Sequence, residues 1–200
     1  ILKGLNGEIP ETPKEGEATF SRTQNVVIGS NIQAVLAAEE KAKNLGYQTL
    51  VLSSFIEGET KDVARVHSAV AKEILQTGKP IPPPACVISG GETTVTLRGH
   101  GKGGRNQEFV LAAAIDIANL DSVVILSGGT DGTDGPTDAA GAVCDGQTVL
   151  RAEQQGERAL EHLSNNNAYP FFKQLNDLLI TGPTNTNVMD LRLVLVDTKN

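Results

Sequence analysis

The chain has no tryptophan, one methionine, two cysteines and three histidines. Each scarcity closes a class of function. No run of about 18 apolar residues occurs, so no transmembrane helix is expected. The start lacks the basic-then-apolar layout of a signal peptide. Cys86 and Cys144 cannot build a disulfide framework and suit a reducing, cytoplasmic setting. The histidines, at 67, 100 and 162, have no metal-ligand spacing, and neither cysteine has an evident histidine partner. A zinc site or a nucleophilic cysteine is therefore not expected. Seventeen Lys and Arg stand against 24 Asp and Glu, a net charge of −7, with no basic cluster. That balance argues against nucleic-acid and membrane-surface partners. The only methionine is Met189 and the chain opens at Ile1, so it reads as processed or as part of a longer protein.

What remains is an ordinary globular composition, 39% hydrophobic and 20% charged over 200 residues. That length can bury a core. Residues 1–24 lack apolar periodicity, are punctuated by glycine and proline, and read as a linker or inter-domain segment. Residues 25–200 read as one α/β domain. Val26-Val27-Ile28 suggests a strand, and 32–45 a helix capped by Asn31 and ended by Gly46. Thr49 to Phe55 suggests a buried strand, followed by a helix over 61–77 capped by Thr60. Further strands are expected at 86–88, 94–97, 122–126 and 191–196, and helices at 106–118, 148–163 and 170–178. This alternation predicts a layered α/β fold with a mixed, largely parallel sheet.

Ile28-Gly29-Ser30, Ile88-Ser89-Gly90-Gly91 and Leu126-Ser127-Gly128-Gly129 are three similar strand-to-loop junctions. Either their glycines close tight turns, or they let the backbone approach a ligand beyond the strand ends. Gly99 to Gly104 is a glycine-rich loop before a helix start, with Lys102 and Arg105 beside it. A helix N-terminus with two cations suits an anion. It is neither a Walker A motif nor a dinucleotide fingerprint. Thr130 to Asp138 then places Asp131, Asp134 and Asp138 after a buried strand. Their spacing misses a calcium loop but suits Mg²⁺ shared with phosphate oxygens, or a base for a substrate hydroxyl. Thr181 to Asn187 is a third polar loop whose hydroxyls and amides, Thr184 and Asn187 among them, suit a small polar ligand.

The ordered runs Ser89-Gly90-Gly91-Glu92-Thr93-Thr94, Gly101-Lys102-Gly103-Gly104-Arg105-Asn106-Gln107-Glu108 and Ser127-Gly128-Gly129-Thr130-Asp131-Gly132, with Thr186-Asn187-Val188-Met189-Asp190, closely resemble the MOFRL domain. That domain is the C-terminal part of the glycerate 2-kinase family, some of whose members are named hydroxypyruvate reductases. The likeness covers nearly the whole chain. It implies an ATP-dependent kinase acting on the 2-hydroxyl of glycerate, with Mg²⁺. It also implies an N-terminal Rossmann-like domain, absent here, that faces this one across the active-site cleft and supplies a lysine. Arg105 matches the arginine of the family's Gly-Gly-Arg-Asn-Gln-Glu run and is expected to stabilise the transferring phosphate. Two positions depart from the family: Asn185 stands where glycine is common, and Asn167-Ala168 where Asp-Ser is common. The second change is expected to weaken a helix cap.

On this reading Arg105, Asp131 and Asp134 are catalytic, and the two aspartates also orient Mg²⁺ or the hydroxyl. Gly90, Gly91, Glu92, Lys102, Asn106, Gly128, Gly129, Thr184 and Asn187 are expected to bind substrate or phosphate. Phosphoryl transfer depends on positioning and charge rather than on a protein nucleophile, which suits this inventory. An oxidoreductase acting on hydroxypyruvate would need a nicotinamide site, and no such fingerprint is found. A non-catalytic binding or interface module is the other rival, and the isolated 200 residues are expected to be inactive. A homo-oligomer stays open as a further partner.

Overall fold

The computed structural model describes residues 1–198; the last two residues of the expected 25–200 domain lie outside the described residues. Residues 1–29 bury no side chain and hold only a four-residue helix, α1 (Leu2–Leu5), and a short 3₁₀ turn at Ala18–Phe20. The apolar run Val26-Val27-Ile28 is exposed and joins no sheet, in contrast to the expected strand. Without a neighbour to complete its hydrogen bonds, an apolar triplet cannot become a strand by pattern alone.

From Asn31 the chain is well packed. Its elements are α2 (Asn31–Asn44), β1 (Gln48–Ile56), α3 (Thr60–Thr77), β2 (Ala85–Gly91), α4 (Arg105–Asp116), β3 (Val123–Gly129), β4 (Gly141–Asp145), α5 (Thr148–Gln154), α6 (Ala159–Ser164), α7 (Ala168–Leu175), β5 (Leu178–Leu179) and β6 (Asp190–Val196). The strands form one sheet in the order β1-β2-β6-β3-β4-β5. It is mixed, as expected, but not largely parallel. Only β1 and β2 pair in parallel, and the other four pairings are antiparallel. Two of those four belong to β6, which returns from the chain's end and inserts between β2 and β3 against their direction, and two to β4, which pairs with β3 and β5. Residues 94–97 form no strand and contribute one bridge, Glu59 to Thr94.

The sheet separates two cores of different depth. One face, with Val87, Ile125, Val194 and Val196, packs against α3, α4 and α7 through Ile74, Phe109, Leu111, Phe171 and Phe172, all fully buried. The other face is covered by α2, where Val35 meets Cys86 and Ile88 and is flanked by partly buried Leu191, Leu193 and Leu195. The alternation along β6 follows from the two-residue period of a strand. α3 begins at Thr60 and ends on Gly78 at φ +71, the left-handed stop its sequence predicts.

Two expected caps work elsewhere. Thr60 Oγ1 bonds Thr93 Oγ1 and donates to the Arg105 carbonyl. Asn31 Nδ2 donates to the carbonyls of Val188 and Asp190, tying α2 to the entry of β6. The expected helix over 148–163 is broken between α5 and α6 at Gly156, φ +82.

Candidate functional site

β2 and β3 run in the same direction and end at Gly91 and Gly129, and antiparallel β6 starts between those ends at Asp190. α4 starts at the same level, since Arg105 and Asn106 both reach Asp190. The C-terminal ends of the strands thus meet the N-terminus of a helix, and several sequence-predicted residues converge there.

Asp190 is their hub. It is fully buried and accepts four N–H bonds: from Arg105 Nε at 2.7 Å, Arg105 Nη2 at 2.9 Å, Asn106 Nδ2 at 3.0 Å and Arg192 Nη2 at 3.2 Å. The bidentate grip holds the Arg105 guanidinium in one plane. Asp190, hydrogen-bonded and charged beside it, raises the Arg105 proton affinity above its ordinary value despite burial. Arg192 is itself fully buried, and its Nε and Nη1 have no partner among the described residues. Burial lowers its proton affinity while Asp190 opposes that shift. Its second contact is from Nη2 to Thr93 Oγ1, 3.2 Å, with its guanidinium carbon 5.4 Å from the Phe109 ring centre. Neither Asp190 nor Arg192 was singled out as a site residue from sequence. Asp190 closed the Thr186-to-Asp190 run that resembles the family, and the further signal was the charge pattern Asp-Leu-Arg at the start of an apolar strand, where successive positions of one face carry opposite signs.

Arg105 keeps a free side. Its guanidinium has five N–H groups. Two go to Asp190 and one, on Nη1, goes to Glu92 at 3.0 Å. One N–H each on Nη1 and Nη2 is left at a side chain that is 31% exposed. Glu92 is half exposed, so the contact is solvent-screened and displaceable. Here Glu92 serves as a counter-ion to Arg105 rather than in the expected binding role.

Asp134 differs from expectation more sharply. It is 2% exposed, and its carboxylate accepts from Asn106 N at 3.1 Å, Gln107 N at 2.9 Å and Asn106 Nδ2 at 3.3 Å. It therefore caps α4 from a distant loop and is not open to a metal ion. Burial pushes its acid up to about 6, against the pull of these donors. The same bonds occupy the helix N-terminus expected to hold an anion. Asn106 is 1% exposed and its Oδ1 accepts from Ser127 Oγ at 2.5 Å, so it is scaffold rather than a ligand contact.

The glycine loop 99–104 is also spoken for. Asn166 Oδ1 accepts from Arg98 N at 2.7 Å and Gly99 N at 3.0 Å. Asn165 Oδ1 accepts from His100 N at 3.1 Å, and Asn167 Oδ1 from Lys102 N at 3.0 Å. A side chain at Gly101 would fall 2.5 Å from the Asn165 carbonyl oxygen. These glycines let three consecutive asparagines approach the loop, so the amides of residues 99–102 are not free to cradle phosphate. The Asn167 departure has its physical sense here: the side chain makes no cap bond at α7 and reaches the loop instead. Lys102 is turned away, its Nζ 4.6 Å above the Tyr169 ring.

Gly90, Gly91, Gly128 and Gly129 are all buried, and their close approach is to protein. The space beside Gly90 holds the Asn31 amide, that beside Gly91 the Ile56 backbone, that beside Gly128 a Leu179 methyl, and that beside Gly129 the Thr133 carbonyl.

Asp131, Thr184 and Asn187 do come together, in a separate and more open cluster. Asp131 Oδ1 accepts from Thr133 N at 3.0 Å, and Oδ2 from Asn187 Nδ2 at 3.4 Å. Thr184 N donates to the Asp131 carbonyl at 3.2 Å, and Thr184 Oγ1 to the Thr130 carbonyl at 2.5 Å. Asn185 adopts φ +58, the left-handed conformation that glycine takes without cost. Among the described residues no group of three or more His, Cys, Asp or Glu could hold a metal ion. One accessible carboxylate with phosphate oxygens is the usual Mg²⁺ arrangement, and Asp131 fits it where Asp134 does not.

Beside Arg105 opens a cavity of about 600 Å³, bounded by Val95, Leu97, the Gly103-Gly104 backbone, Glu108 and Ala168. No helix among the described residues is long and apolar enough to cross a membrane.

Residues 85–190 match the MOFRL family. The chain is 39% identical over its full length to a glycerate 2-kinase of Pyrococcus horikoshii, covering 44% of that protein. It is 41% identical to a D-glycerate 2-kinase of Thermotoga maritima, over 94% of this chain and 44% of the relative. A putative hydroxypyruvate reductase of Agrobacterium vitis is 38% identical over 93% of this chain and 42% of its own length. The crystal structure of the Thermotoga maritima glycerate kinase superposes with a TM-score of 0.85 at 40% identity, covering 86% of this chain and 42% of that one. The chain thus spans less than half the length of these relatives, and over the matched stretch it belongs to the MOFRL family.

Proposed function

We propose that this chain is the C-terminal part of an ATP-dependent glycerate 2-kinase. An N-terminal Rossmann-like domain would complete the site, residues 1–24 would join the two, and 25–200 would form the domain. The relatives that carry the kinase name, and the partly free Arg105 held by a buried carboxylate beside a ligand-sized cavity, support the reading. In the reaction the 2-hydroxyl oxygen of glycerate bonds to the terminal phosphorus of ATP, ADP leaves, and the hydroxyl proton is lost. Mg²⁺, when bound, neutralises charge on the phosphates.

The single feature that carries the proposal is Arg105. Two of its N–H groups are fixed by Asp190, and two remain to meet phosphate oxygens with little reorganisation. Glu92 occupies the open side and would yield to an incoming phosphate. Asp131 is the accessible carboxylate for Mg²⁺ or for the hydroxyl proton. Asp134, Asn106 and the buried glycines act by shaping the platform. In the full-length protein, Arg105→Ala should reduce glycerate-dependent ADP release by roughly 10²–10³-fold while far-UV circular dichroism stays unchanged. Near-normal turnover would remove Arg105 from the chemistry. The name of the Agrobacterium relative suggests a reductase. NADH oxidation with hydroxypyruvate, measured on the same preparation, separates that activity from the kinase.

A further inference from the structure

Of the three similar strand-to-loop junctions in the sequence, Ile28-Gly29-Ser30 is the one without a strand. Val26, Val27 and Ile28 are 65%, 81% and 94% exposed. Their backbone groups, like those of the whole stretch from Gln24 to Gly29, make no backbone hydrogen bond among the described residues. The next exposed apolar side chains continue the patch, with Ile32 and Leu36 one turn apart on α2.

Three consecutive β-branched residues favour a strand over a helix. Neighbouring side chains of a strand point to opposite faces, so this triplet is apolar on both. Such a strand belongs inside a sheet that is covered on both sides, as in α/β folds. The sheet of this domain runs from β1 to β5 without it. The end of the segment is also held away from the open edge of that sheet. Asn31 is 4% exposed, and its Nδ2 donates to the carbonyls of Val188 at 2.7 Å and Asp190 at 2.9 Å. Its amide fills the space beside Gly90, and a Cβ on Gly29 would stand 3.5 Å from a Val188 methyl. The segment therefore ends over the junction of β2 and β6, one strand in from β1. Asp190, whose carbonyl Asn31 holds, is the residue that grips Arg105.

We infer that Val26 to Ile28 docks as a strand into an α/β sheet in the preceding half of the full-length protein. The inference rests on the reading of this chain as the C-terminal part of a longer enzyme. Relatives of which this chain covers 44% have more than half of their length left to supply such a sheet. The tether favours that partner over a second copy. Residues 1–24 bury no side chain, and a flexible connection of that length spans about 25–30 Å. It keeps the triplet near its own preceding half at a millimolar effective concentration. Residues 25–29 then fold with the other half, and the boundary between the two falls at Gly29-Ser30. The docked strand leads straight into Asn31, one hydrogen bond from the cluster that orients Arg105.

Hydrogen exchange of the full-length protein, read by mass spectrometry, tests the docking. The amides of Val26 to Ile28 should exchange at least about 10²-fold more slowly than in an unstructured peptide of the same sequence. The slowing should not change with protein concentration, because the partner is in the same chain. Val27→Asp places a charge on a side chain that is exposed in this domain but enclosed in the docked strand. It should speed exchange at residues 26–28 by at least about tenfold and leave the amides of β2 and β6 protected. Val27→Ile should exchange as the wild type does. Fast exchange at 26–28 in the wild type overturns the inference, as does protection that is lost on dilution, the mark of a second copy. A Val27→Asp protein that keeps the protection of 26–28, or that loses it in β2 and β6 as well, overturns it too. Protection at 26–28 without glycerate-dependent ADP release would overturn the kinase reading and keep the docking. ADP release from a protein whose residues 26–28 are unprotected would do the reverse.

Discussion

Asp190→Asn isolates the buried charge cluster. The carboxylate accepts two donors on each oxygen: Arg105 Nη2 and Asn106 Nδ2 on Oδ1, Arg105 Nε and Arg192 Nη2 on Oδ2. Whichever way the asparagine amide turns, two of these four donors lose their acceptor and face an NH₂ group. Each orphaned buried donor costs about 1–3 kcal/mol. The substitution also removes the one negative charge in contact with Arg192, which is fully buried and already has two unpartnered nitrogens. Breaking a buried pair from one side typically costs about 3–5 kcal/mol, a large share of the roughly 5–15 kcal/mol that holds a domain folded. In a chain of this size that corresponds to a fall in melting temperature of about 6–20 °C. Urea unfolding at pH 7, followed by far-UV circular dichroism, measures it. The reciprocal variant, Arg192→Met, removes the two unpartnered nitrogens and leaves Asp190 three donors, so its cost should stay below about 2 kcal/mol. A loss under 1 kcal/mol for Asp190→Asn, or a larger loss for Arg192→Met, would refute this account.

Gly91→Ala should destabilise by about 1–3 kcal/mol, because Gly91 sits at φ +118 with the Ile56 backbone where a Cβ would go. The same urea titration checks it. Two buried groups give opposite pH dependences. His67 donates from Nδ1 to the Val63 carbonyl and accepts from Ser89 Oγ at Nε2, and burial lowers its proton affinity from 6.5 to about 4. The unfolded chain protonates first, so this stabilisation is complete above pH 6.5 and is lost as pH falls toward 4. Asp134 is raised from 3.8 to about 6, so its stabilisation is complete below pH 3.8 and is lost as pH rises through 6. Unfolding of His67→Gln and Asp134→Asn at pH 4.5 and 7 separates the two. Relative to wild type, the first should do comparatively better at pH 4.5 and the second at pH 7.

Much of this arrangement was legible in the residues. The 3.6-residue spacing of Val63, His67, Val70 and Ile74 marked α3, and Gly78 marked its end, because amphipathicity and the left-handed stop are local properties. The glycine loop and the neighbouring Arg105 were recognisable because such clustering is rare in ordinary turns. What the loop does with its backbone was not legible, since Asn165, Asn166 and Asn167, some 65 residues further on, hold the amides of residues 98–102. β4 escaped notice because Gly-Ala-Val-Cys-Asp is too short and too small to show alternation.

The sequence by itself determined the α/β class, the glycine- and aspartate-rich loops and the family, since propensity, periodicity and ordered motifs are carried by neighbouring residues. Tertiary structure alone decided the antiparallel insertion of β6, and with it the meeting of Asp190 and Arg192 with Arg105. It also decided that Asp134 caps a helix and is closed to a metal ion. Those outcomes depend on contacts between segments from 28 to 99 residues apart and more, whose energies come from burial and from competition for hydrogen-bond partners.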